Sequence, residues 1–185
     1  MAEDIYIIED ALPEQMFEWA FEEFDPAYNF RYASKYESRV IPENLHNFYP
    51  TWAGLDKPGE GDSIGDNLQL IRIAVHAKLL AKKLIRKDLR LIRINTNIQK
   101  FGEEATFHND GPIGSWTFLV YIMQFWNMEW GGDFIIQMSN RDYRSVPCFP
   151  NRAILFKGHL EHRGSAPNRL CNFIRQSIAF TFLEI

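Results

Sequence analysis

The stretch LRLIRINTNIQKF, Leu89 to Phe101, decides the fold. Before it, apolar residues recur at helical spacing; within it they alternate. Ile92, Ile94, Thr96 and Ile98 fall on one face of an extended chain, with Arg93, Asn95, Asn97 and Gln99 on the other. Strand-like segments then follow to the end of the chain. WTFLVYIMQFW (116–126) reads as a buried strand, and Asp133–Met138, Ala153–Phe156 and Asn172–Leu183 as further strands. Gly131-Gly132 marks a bulge or a close approach of backbone.

Upstream, Ile5–Ile8 reads as a short strand and Asp10–Phe24 as an amphipathic helix, with Pro13 in its first turn. A second helix is expected over Asp66–Leu84, its apolar stripe made of Leu68, Ile71, Val75, Leu79 and Leu80. Residues 27–65 mix aromatics with prolines and glycines and fit a lid, a dimer surface or a partner site. Helices first and strands after give a mainly β protein with N-terminal helices (α+β), built on a sandwich or barrel.

The chain has 185 residues, enough for one domain with a sizeable core, and 15% of them are aromatic. Net charge is −4, which argues against nucleic acid as the main partner. The basic cluster Lys82, Lys83, Arg86, Lys87 and Arg90 fits a solvated helix face. Cys148 and Cys171 lack metal or redox spacing, the opening MAEDIYIIED has no secretory pattern, and no apolar run has the length of a membrane span. A cytoplasmic protein with two reduced thiols is expected, with no membrane partner.

The chemistry-bearing residues lie among the strands. In TFHNDG (106–111), an extended chain puts His108 and Asp110 on one face, where an imidazole and a carboxylate converge on one cation. Downstream, FKGHLEHRG supplies His159 and His162, the latter 52 residues beyond Asp110. Two histidines and one carboxylate with other positions open form the facial triad of non-haem Fe(II) oxygenases. In NFIRQSIAFTF (172–182), Arg175, Ser177 and Ala179 share a face. An arginine facing a barrel interior is costly without an anion, and a guanidinium beside a hydroxyl suits a carboxylate. 2-Oxoglutarate satisfies both features, chelating iron at one end and meeting an arginine at the other. Arg169 is a rival, though APNRLCN reads as a turn. Asn95, Asn97 and Gln99 are either substrate contacts on a pocket wall or the polar side of an edge strand.

From Ile92 onward the sequence resembles the 2-oxoglutarate/Fe(II)-dependent dioxygenases, in particular their prolyl 4-hydroxylase-like branch. The matching features, in order, are His108-x-Asp110, YIMQFWNMEWGG (121–132), PNRAILFKGHLEH (150–162) and Arg175-x-Ser177. The opening IYIIEDALPEQMFEWAFEEF also resembles that branch. The resemblance implies a double-stranded β-helix (jelly-roll) core over 91–185 within a single domain of 1–185, the first 90 residues supplying a strand, helices and a lid region. It implies His108, Asp110 and His162, rather than His159, as the catalytic iron ligands. It also implies that Arg175, Ser177 and Tyr121 bind the far carboxylate of 2-oxoglutarate. The activity implied is hydroxylation of an unactivated C–H of a peptidyl proline, amino acid or small metabolite, with 2-oxoglutarate converted to succinate and CO2. Fe(II), O2 and 2-oxoglutarate are then required, with ascorbate a stimulant. The alternative from another class is a non-catalytic cupin-like module that binds a metal or small acid; an interior arginine beside the triad counts against it.

Overall fold

The computed structural model describes residues 5–24, 51–53, 68–139 and 142–185. In chain order its elements are β1 (Ile5–Ile8), α1 (Glu14–Phe24), β2 (Thr51–Ala53), α2 (Leu68–Ile85), β3 (Leu89–Gln99) and β4 (Ser115–Tyr121). Then come a 3₁₀ turn (Met128–Trp130), β5 (Phe134–Ser139), β6 (Asp142–Val146), β7 (Ala153–Lys157), β8 (His162–Gly164) and β9 (Arg175–Glu184). A six-stranded sheet has the order β1-β7-β4-β9-β3-β2, and a three-stranded sheet the order β6-β5-β8. Their strand pairs are antiparallel. This is the double-stranded β-helix expected, with β1 paired to β7 in the larger sheet. The segment 27–65, read as a lid or partner surface, lies outside the described residues apart from Thr51–Ala53.

Both faces of the larger sheet are covered, so its central strands are buried on both sides. On the outer face Trp116, Phe118 and Val120 of β4 and Ile178, Phe180 and Phe182 of β9 pack with the helices. On the inner face Leu119 and Tyr121, Ile154 and Phe156, and Ala179 pack with Phe134 and Ile136 of the smaller sheet. Alternation along three strands thus divides the molecule into a helix-facing core and an inter-sheet core, and the latter borders the site.

Three boundaries depart from the sequence reading. Helix α1 begins at Glu14, because Asp10 has φ 47°, outside the helical region. Strand β4 ends at Tyr121 rather than Trp126: there its backbone bonds pass to Asn151 and Arg152, ahead of β7. Strand β9 begins at Arg175, opposite Gln99, where β3 also ends. The stripe of α2 is corrected too. Val75 and Leu79 are 51% and 61% exposed, while Leu70, Ile73, Ala74, Ala77 and Ala81 face the core. His76 is half-buried and donates from Nε2 to the Ala11 carbonyl at 2.9 Å.

Candidate metal centre and cosubstrate pocket

His108 and His162 are paired across a backbone bridge. The His108 amide donates to the His162 carbonyl at 3.0 Å, and the His162 amide returns the bond at 2.9 Å. This directly opposed pair brings the rings to 4.6 Å between centroids. Each ring is also oriented locally: His108 Nδ1 lies 2.9 Å from the Thr106 carbonyl, and His162 Nδ1 lies 2.8 Å from the Leu160 carbonyl. A carbonyl only accepts, so Nδ1 carries a proton in both rings and Nε2 is the nitrogen left to face the site. Backbone bonds from Asp110 and Gly111 to the Gly158 carbonyl pin the turn holding the carboxylate, at 2.7 and 3.2 Å.

One ligand atom from each of His108, Asp110 and His162 lies within 4.8 Å of the others. Two imidazole nitrogens and one carboxylate oxygen fit a first-row divalent metal better than Mg²⁺ or Ca²⁺, which favour all-oxygen sets. Burial pushes the Asp110 carboxyl upward. The His162 ring, the Thr117 hydroxyl and the Arg93 guanidinium outweigh it and hold the group well below the ordinary carboxylate range. Asp110 is therefore ionised, as a ligand must be.

A cavity of about 170 Å³ opens beside the triad and runs to Arg175. That is small beside the ~300–1,000 Å³ of sites for drug-sized ligands, and suits a compact acid. Arg175 is 2% exposed. Its Nε donates to the Gly132 carbonyl at 2.7 Å, Nη1 to Gln99 Oε1 at 2.7 Å, and Nη2 to the Tyr121 hydroxyl at 3.2 Å. All three partners are uncharged, so the guanidinium is a buried cation with no carboxylate partner among the described residues. Such a charge costs about several kcal/mol to bury, which an anion in the cavity would offset. Burial raises the Tyr121 hydroxyl above the ordinary tyrosine range despite Arg175 beside it, so Tyr121 keeps a proton to donate. Burial likewise pushes the neighbouring Cys148 thiol up to about 12. Cys148 and Cys171 are both free and buried.

Ser177 stands opposite both Asn97 and Tyr121 in the sheet, and its buried hydroxyl has no hydrogen-bond partner. Asn95 and Asn97 line the cavity, and their Oδ1 atoms are likewise buried without partners. Gln99, read as either a substrate contact or the polar side of an edge strand, lines the same cavity and is hydrogen-bonded there. Its oxygen takes Arg175, and Nε2 donates to the Glu103 and Gly164 carbonyls at 3.1 and 3.0 Å. His159 is outside the group of ligand atoms, and Arg169 is exposed. Gly132 has φ 81°, and a Cβ there would lie 2.9 Å from Trp126 and 3.3 Å from Arg175, so this glycine is a close approach of backbone.

Two residues at the site escaped the sequence reading. Arg93 donates to Asp110 Oδ1 and Thr117 to Asp110 Oδ2, each at 2.7 Å. The signals were present: Arg93 is an arginine on the polar face of β3, and Thr117 shares the face of Tyr121.

No family model and no curated protein matches the sequence. Solved structures do. A prolyl hydroxylase from Trichoplax adhaerens, in complex with a peptide fragment of the oxygen degradation domain of hypoxia inducible factor, is 15% identical, with a TM-score of 0.70 over 98% of this chain and 84% of that one. HygX from Streptomyces hygroscopicus, with nickel and 2-oxoglutarate bound, is 12% identical, with a TM-score of 0.65 over 98% and 83%. The α-ketoglutarate-dependent epimerase SnoN from nogalamycin biosynthesis is 14% identical, with a TM-score of 0.68 over 98% and 79%. At such identities likeness establishes architecture: the chain has the double-stranded β-helix fold shared by prolyl hydroxylases and other 2-oxoglutarate/Fe(II) oxygenases.

Proposed function

We propose that this chain is a 2-oxoglutarate- and Fe(II)-dependent dioxygenase. It hydroxylates an unactivated C–H of a peptidyl proline, an amino acid or a small metabolite, and converts 2-oxoglutarate to succinate and CO2. The observation that carries this reading is one cavity with a His-Asp-His cluster at one end and a buried, uncompensated guanidinium at the other. A metal site alone needs no such arginine, and an acid-binding site alone needs no such cluster.

His108, Asp110 and His162 would hold the iron through Nε2, a carboxylate oxygen and Nε2. Iron and 2-oxoglutarate together supply the power to reduce O2 and oxidise a C–H bond. The chain's own residues do the placing. Arg175 takes the far carboxylate of 2-oxoglutarate, Ser177 and Tyr121 donate to it, and Gln99 and the Gly132 carbonyl keep the guanidinium aimed. Leu119, Phe134 and Ala179 give the cavity its apolar wall, which limits water beside the acid. Asn95 and Asn97 remain the substrate-facing candidates. Ascorbate would be stimulatory. The free thiols fit a reducing compartment, and we read the protein as cytoplasmic; among the described residues no helix is long and apolar enough to cross a membrane.

The test is turnover without added substrate: Fe(II), ascorbate, O2 and 2-oxoglutarate, with succinate quantified. Slow succinate formation that disappears in Asp110→Ala is the expected result. Should none form, an anaerobic titration of Fe(II) with 2-oxoglutarate decides. A visible charge-transfer band means an oxygenase awaiting its substrate. Its absence moves the assignment to a non-catalytic cupin-like module.

A further inference from the structure

The two oxygens of Asp110 have different surroundings. Oδ2 lies 3.5 Å from His162 Nε2 and accepts from the Thr117 hydroxyl at 2.7 Å. Oδ1 is capped by Arg93 Nη2 at 2.7 Å. Oδ2 is thus the oxygen turned toward His162, and Oδ1 is held by a cation.

The backbone delivers Arg93 to this point through a bulge. On β3, Leu89 pairs with Glu184 and Leu91 with Phe182, but the next pair is Arg93 with Thr181; the register shifts across Ile92. Before the bulge the odd-numbered Leu89 and Leu91 pack with the helix-facing core; after it the even-numbered Ile94 does so. The parity therefore flips, and Arg93, Asn95, Asn97 and Gln99 all turn to the cavity. Bulges beside sites commonly re-aim a side chain in this way. Arg93 also lies 3.4 Å from the Thr181 hydroxyl, its cross-strand neighbour.

Coordination number gives this arrangement a consequence. A carboxylate that uses both oxygens occupies one more position on a metal than one that uses a single oxygen. With three single-atom ligands an octahedral ion keeps three positions, two for a chelating keto acid and one for O2. With a chelating Asp110 only two remain. We propose that Arg93 is a positioning residue that restricts Asp110 to single-oxygen ligation through Oδ2 and so keeps the third position available. The inference rests on the oxygenase reading and adds a device specific to this chain.

Anaerobic Co(II) titration tests it, because visible d–d absorption reports coordination number without turnover. Wild type, Arg93→Ala and Arg93→Lys are titrated with Co(II) and then with 2-oxoglutarate. Arg93→Ala should bind Co(II) about 10–100-fold more weakly, the usual range for losing a partner of a metal ligand, with a spectrum altered both alone and with 2-oxoglutarate bound. Arg93→Lys retains a cation that can cap Oδ1, and should restore the wild-type spectrum. A purely structural role would lower thermal stability and leave the spectrum unmoved. If Arg93→Ala does not fold, Arg93→Gln, neutral and of similar length, takes its place in the same titration. Wild-type spectra and wild-type Co(II) affinity in a folded, uncharged variant overturn the role of Arg93 alone. Failure of the wild-type protein to bind Co(II) overturns the metal centre itself.

Discussion

Gly164 is where the strand of the third ligand meets the arginine. It lies two residues beyond His162 on β8, so both face the cavity. A Cβ at Gly164 would lie 2.9 Å from Arg175 Nη2, 2.9 Å from Gln99 Oε1 and 3.0 Å from Arg175 Nη1. These are the atoms of the bond that aims the guanidinium. Gly164 does not share the positive φ of Gly132, so alanine strains the arginine there and not the backbone. Gly164→Ala should therefore fold and bind metal, yet need at least about tenfold more 2-oxoglutarate, equivalent to roughly 1.4 kcal/mol. Succinate formation against 2-oxoglutarate concentration measures this, with Co(II) binding as the control. An unchanged requirement would remove Arg175 from cosubstrate binding.

The elements were legible in proportion to their burial. β4 and β9 announce themselves because both their faces are covered, which leaves long apolar or alternating runs. β6 does not: four of its five residues are exposed, and pairing with β5 defines it, not any pattern of its own. β2 and β8 have three residues each, too short for a period to register. In α2 the large apolar residues misled. The helix packs through Ala74, Ala77 and Ala81 because small side chains let it lie close to the sheet, and alanine carries little signal of which face is buried. A substitution pair tests that orientation. Ala77 is fully buried, so Ala77→Leu should overpack the contact and cost about 1–3 kcal/mol. Leu79 is 61% exposed, so Leu79→Ala should stay within about 0.5 kcal/mol. Urea midpoints at constant slope compare the two; the reverse order would mean the helix presents its other face.

Across the whole molecule, the residues needed for chemistry come from distant places in the chain, and this sets what sequence could reveal. His108-x-Asp110 is local, so it is visible at once. Residue types alone left His159 and His162 as equals; the backbone bridge between His108 and His162 separates them. Arg175 and Arg169 were likewise distinguished only by the strand beneath one of them. The bulge that turns Arg93 inward lies just ahead of the alternating run from which the faces of β3 were read; that reading holds from Arg93 to Gln99, but no residue type marks the bulge itself. On the proposed function, the buried cation that the fold assembles takes its anion from a separate molecule, and stability should report this. A ligand that binds only the folded state stabilises it by about 2.7 kcal/mol at 100 times its Kd. For a chain of this size that corresponds to a rise in Tm of roughly 5–11 °C. With Co(II) present, 2-oxoglutarate should produce such a shift in the wild-type protein. Without metal the shift should shrink, because only the far carboxylate is then held. In Arg175→Met, which keeps the bulk but removes the charge, it should fall below about 2 °C even with metal. Differential scanning fluorimetry with and without metal reads all of these. An equal shift in Arg175→Met would mean that the acid is held elsewhere, and that the buried guanidinium answers to some other anion.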